Sequence, residues 1–139
     1  MIEDVLKEKK FVISGIQGTS MMPMLRQGID TVKVVPYKGK AKEGDVLLFK
    51  RPSGQYTLHR VVKVKKDYYV ICGDNRTYRE KIPKDWIIGV MESYFRGEEE
   101  IKATDERQIE YYKKAKKSYP KRRLKHILSK IFKKNKKKA

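Results

Sequence analysis

Gly18-Thr19-Ser20-Met21-Met22-Pro23 is the stretch whose residue types most readily do chemistry. Pro23 fixes its own φ and drives Met22 away from helical geometry, while Gly18 permits a positive φ. Ser20 is therefore expected on a sharp turn, hydroxyl outward, with backbone N–H groups free to receive an oxyanion. A serine hydroxyl becomes a nucleophile only beside a base that takes its proton, and the chain has two histidines. His126 lies in a basic tail and reads as a helix-surface residue. His59, in Leu58-His59-Arg60-Val61-Val62, reads as mid-strand, pointing with Val61 and opposite the Leu58/Val62/Val64 face. A turn serine or a strand histidine taken alone is ordinarily structural; together they raise nucleophilic catalysis. Cys72-Gly73-Asp74-Asn75-Arg76 offers a carboxylate, Asp74. It is either a turn former or the group that approaches the His59 imidazole and fixes its tautomer. Glu80 is a second such candidate. Met21 and Met22 either line a pliable apolar substrate cleft or fill the core. Cys72 reads as a small buried hydrophobe.

The elements that must position these groups are short. Ile2, Val5 and Leu6 form a brief helical stripe within residues 1–10. Thr31 to Val35, Asp45 to Lys50, Tyr56 to Lys65, Tyr68 to Cys72 and Trp86 to Phe95 are rich in Val, Ile, Tyr and Phe and are separated by turn residues. They predict strands of a mainly β domain, a small barrel or sandwich over 11–98. From Asp105 glycine disappears and helix formers take over. A helix is expected over about 105–118, a break at Tyr119-Pro120, and a second helix over about 122–133, making 105–139 a helical tail.

Charge divides the chain in the same place. The 139 residues hold 35 Lys plus Arg and 17 Asp plus Glu, a formal net charge of +18. From Asp105 onward there are 15 basic and 3 acidic residues, so +12 of the total sits in the tail. A single cysteine rules out an intramolecular disulfide and the zinc spacings built on Cys pairs. No apolar run reaches the ~18–20 residues of a spanning helix, and residues 1–10 do not resemble a secretory signal. The expected setting is cytoplasmic or peripheral at a membrane surface, with no cofactor and no metal.

The Ser20 box, Gly44-Asp45-Val46-Leu47-Leu48-Phe49, His59-Arg60-Val61-Val62, Gly73-Asp74-Asn75 and Ile88-Gly89-Val90 follow one another in an order that resembles the type I signal peptidase family of serine peptidases. The resemblance spans Phe11 to Phe95. It implies a mostly β catalytic fold and a signal-peptidase-like serine endopeptidase acting on a peptide or preprotein through an acyl-enzyme. Ser20 would be the nucleophile. His59 stands where the bacterial branch has a lysine base, as in the Ser–His branch, and Asp74 falls on that branch's Gly-Asp aspartate. Three positions depart from the pattern. Gly18 replaces a serine that helps hold the oxyanion, leaving that task to backbone N–H groups. Glu80 stands where a further Asp is usual, its longer arm reaching the same partner or missing it. The N-terminal membrane span has no counterpart, which weakens the inference to secretory preproteins more than the inference to peptide-bond chemistry. With an ordinary His pKa near 6.5, activity is expected to rise through neutral pH. The alternative is a catalytically weak or inactive binding module of the same fold, using its basic tail to bind an anionic membrane or nucleic acid.

In the tail, Leu124, Ile127, Leu128, Ile131 and Phe132 recur at helical spacing among Lys125, Lys130, Lys133 and Lys134. This basic amphipathic stripe either packs on the β body or meets an anionic membrane, where each Lys or Arg is worth ~1 kcal/mol. Nucleic acid ranks third, since no helix-turn-helix or zinc pattern accompanies the charge.

Overall fold

The computed structural model describes the backbone of residues 1–138 and side chains through Lys133; Lys134 of the tail stripe has its side chain outside that range. Helix α1 (Ile2–Lys9) is followed by strands β1 (Val12–Gly15), β2 (Thr31–Pro36), β3 (Val46–Lys50), β4 (Tyr56–Val64), β5 (Tyr68–Cys72), β6 (Glu80–Pro83), β7 (Ile87–Arg96) and β8 (Glu99–Lys102), then helix α2 (Glu106–Lys138). All eight strands join one antiparallel sheet in the order β1-β2-β7-β3-β4-β5-β6, with β8 paired to the far half of β7. The domain is mainly β, but the sheet is not closed into a barrel: β1 and β6 are its free ends. Register shifts at Lys33/Val34, Leu48/Phe49 and Val61/Lys63 bend it.

The sheet buries both faces, which explains the continuous apolar run of β3. Val46 and Leu48 join a cluster with Leu6, Met21, Met24, Leu25, Val32, Val34, Met91, Tyr94 and Ile101. Leu47 and Phe49 point the other way, into a cluster with Val61, Tyr69, Ile71, Ile82 and Ile87.

Two expectations about the elements need correcting. β1, β6 and β8 lie outside the apolar runs that predict strands. Each has four residues, and they carry Gly, Pro or paired Glu in place of an apolar alternation. The tail is one helix rather than two. A proline inside a helix removes a donor and costs ~3 kcal/mol, yet Pro120 does not end this one. Arg122 reaches back along the helix to donate to the Ala115 carbonyl at 2.9 Å and to the Ser118 hydroxyl, bracing the turn that contains Pro120. The Tyr119 ring lies 4.2 Å from the Arg79 guanidinium and 5.6 Å from that of Arg122.

The first half of α2 packs on the body. Gln108 is buried, Tyr112 covers Gly44 with its ring 3.6 Å from where a Cβ would stand, and Tyr111 accepts a hydrogen bond from Arg96. Among the described residues, no helix is long and apolar enough to cross a membrane.

Candidate active site

Ser20 sits half-buried on the turn that leads from β1 toward β2. Gly18 takes φ +80°, a left-handed geometry that favours glycine, and starts the turn. Met21, Met24 and Leu25 anchor the turn in the core, and the Ser20 carbonyl accepts the Asn75 N–H at 2.8 Å. Among the described hydrogen bonds, the N–H groups of Ser20 and Met21 have no protein acceptor.

His59 projects from β4 beside Leu47, its cross-strand neighbour, and on the same side as Val61, as its alternation requires. Phe49 meets the imidazole edge-on at 6.2 Å. His59 is only 8% exposed. Burial lowers its pKa to about 4; the Glu80 charge opposes that shift and the Arg51 and Arg76 charges reinforce it. The imidazole is therefore a neutral base at pH 7, and its deprotonation lies well below the neutral range expected for an ordinary histidine.

Serine turn and imidazole converge on Gly73. A Cβ there would lie 2.8 Å from the Ser20 carbonyl oxygen, 3.1 Å from His59 Nε2 and 2.9 Å from the Arg76 side chain. Only a residue without a Cβ lets all three close in. Ser20 and His59 face one cleft of about 740 Å³, shared by Gly18, Met21, Arg51, Arg76, Tyr78 and Glu80, with an apolar floor including Val32, Val34 and Leu48. Met21 is thus both core and cleft wall, whereas Met22 is not among the lining residues. No hydrogen bond joins the Ser20 hydroxyl to His59 among the described residues.

The carboxylates are arranged differently from the expectation. Asp74 does not approach His59. Arg60, the next residue on β4, points to the opposite face and takes Asp74 in a two-pronged pair, Nε to Oδ1 at 2.7 Å and Nη2 to Oδ2 at 2.8 Å. The pair is fully buried. Nη1 of Arg60 donates further to the Gly44 carbonyl at 2.9 Å and to Gln108 at 2.6 Å. Alternation along β4 is the cause: successive side chains leave opposite faces, so a carboxylate bound to Arg60 stands away from His59. Glu80 lies on the His59 side, but its two oxygens accept from Arg51 at 2.8 and 2.9 Å, which holds its pKa below the usual carboxylate range. His59 Nδ1 is buried with no protein partner.

Gly73 and Arg51 position the groups of the site, while Arg60 holds Asp74 on the opposite face; residue type and spacing alone assign none of these roles. The signal for Arg60 was present: an arginine inside a strand of otherwise buried character needs an acid partner. Among the described residues, no three His, Cys, Asp or Glu side chains gather as a metal site. No family model and no curated protein matches the chain.

Proposed function

We propose that the chain is a serine endopeptidase similar to the type I signal peptidases, with Ser20 as nucleophile and His59 as general base. The observation that supports this most is the convergence of the Ser20 turn and His59 Nε2 on Gly73, inside one cleft. Ser20 Oγ attacks the substrate carbonyl as Nε2 takes its proton, and the free N–H groups of Ser20 and Met21 meet the oxyanion. The imidazolium returns the proton to the leaving amine, and an acyl ester on Ser20 remains. Water, deprotonated by the same nitrogen, then hydrolyses the ester and restores the hydroxyl. An extended peptide fits this cleft. Ser14 and Gly15 of β1 line it, and among the described residues β1 pairs with β2 alone, leaving its other edge for an added strand.

The alternative, a catalytically weak or inactive binding module of this fold that recognises its partner through the basic tail, draws on the unpaired Nδ1 and the commitment of Asp74 to Arg60. An imidazolium with no carboxylate at Nδ1 gains little support, so a slow enzyme is the expectation even on the first reading.

The test is incubation of the full chain with leader-bearing peptides, beside Ser20→Ala and His59→Ala, read by mass spectrometry. Wild type should cut at one site and Ser20→Ala not at all. His59→Ala should lose ~10²–10⁴-fold in rate. Absence of cleavage by the folded wild type establishes the module reading instead.

A further inference from the structure

The distal half of α2 carries an apolar surface that is left exposed among the described residues. The last described hydrogen bonds between α2 and the body are made by Arg122, to the Arg76 carbonyl at 3.1 Å, and by Arg123, to the Thr77 carbonyl at 3.4 Å. From Leu124 to Lys138 the helix continues for about 22 Å at its ~1.5 Å rise per residue. Along this segment Leu124 is 57%, Leu128 44%, Ile131 49% and Phe132 66% exposed, and Ile127 is exposed beside them. Helical spacing puts all five on one face, and Lys125, Lys130 and Lys133 flank it or lie opposite, all exposed. The stripe is thus exposed in this structure rather than packed on the β body.

The charge around the stripe specifies what covers it. No acidic residue occurs after Glu110, while ten of the residues from Tyr119 onward are Lys or Arg. A polyanion alone would use the lysines and leave five large apolar side chains in water. A folded protein partner would have to supply both an apolar groove and a dense acidic rim. A bilayer containing anionic lipid supplies both at once: a hydrocarbon boundary for the stripe and phosphate headgroups for the lysines.

We propose that residues 124–133 dock α2 in the plane of an anionic membrane surface, with the Leu124–Phe132 stripe at the headgroup boundary. The clasp of Arg122 and Arg123 on the Arg76–Thr77 backbone then ties the docked helix to the loop that borders the Ser20–His59 cleft. This docking does not depend on whether the cleft catalyses.

The test is co-sedimentation of the full chain with phosphatidylcholine vesicles, with and without phosphatidylglycerol. Binding should require phosphatidylglycerol and weaken as salt shortens the Debye length. Leu128→Asp/Ile131→Asp, two substitutions on the protruding and solvent-facing helix, should lower the partition coefficient at least about tenfold. Circular dichroism checks that the fold is kept. In a Trp86→Phe background, Phe132→Trp should show a blue-shifted emission only with anionic vesicles. Three results would overturn the proposal: no sedimentation by the wild type, undiminished binding by the Asp variant, or tight binding to a DNA duplex with none to vesicles.

Discussion

Asp74 is where sequence resemblance and structure part, and Asp74→Asn separates them. The substitution keeps the side-chain shape but leaves the Arg60 guanidinium buried without its counter-charge; the two side chains are 2% and 3% exposed. Breaking one partner of such a pair costs about 3–5 kcal/mol. That is a large share of the ~5–15 kcal/mol that holds a typical domain together. With a urea slope of about 2 kcal/mol per molar, the midpoint should fall by about 2 M. The assay is urea denaturation followed by circular dichroism, beside peptide cleavage measured well below the new midpoint. Cleavage per folded molecule should change little, because the Asp74 carboxylate is held by Arg60 and, among the described residues, makes no hydrogen bond to Ser20 or His59. Should Asp74→Asn fail to fold, Arg60→Met/Asp74→Leu removes both charges and should recover most of the lost stability. A midpoint shift of less than about 0.5 M, equal to about 1 kcal/mol, together with a large loss of turnover, would refute the structural role and return Asp74 to the chemistry.

Other expectations concern His59 and Gly73. The folded state holds the His59 pKa near 4 against 6.5 for the unfolded chain, so the unfolded state binds the proton more readily. The stability His59 contributes is complete above pH 6.5 and is lost as pH falls toward 4, by about 3 kcal/mol in total. His59→Gln should flatten that part of the stability profile, and identical profiles for the two proteins would refute the burial argument. By the same shift, cleavage should be level through neutral pH and fall only in acid near pH 4. Gly73→Ala places a methyl 2.8 Å from the Ser20 carbonyl and should lower kcat/KM about a hundredfold through misplacement, with the fold intact by circular dichroism. An unchanged rate would mean the serine turn and the imidazole do not act together.

Much of the fold could be read from residue pattern because its central strands are strong signals. Tyr68–Cys72 falls as expected, and β2, β3, β4 and β7 lie within a residue of their expected ends. The remaining elements are held by neighbours rather than by their own composition. β6 forms because Tyr68 to Ile71 present a free edge to Glu80–Pro83, and Pro83 is tolerated there at the end of an outermost strand. α2 survives Pro120 because Arg79 and Arg122 flank Tyr119, contacts that no local propensity contains. At the site, Ser20 and His59 were legible as a turn hydroxyl and a strand imidazole. The partner of Asp74 was not, because two adjacent β4 residues compete for it and only the pleat decides which one receives it.

Gln108 gives the tail a second meaning. Its amide is wedged between the Arg60 guanidinium and the Ala103 carbonyl, 2.6 Å from each. Cutting the chain ahead of α2 would therefore leave an arginine in the middle of the molecule short of an acceptor and bare the ground around Gly44. Such a shortened protein would report its own loosening, so any loss of behaviour seen with it says little about the missing lysines. The helix belongs to the architecture up to Arg123, and only its outer end is available to be altered freely.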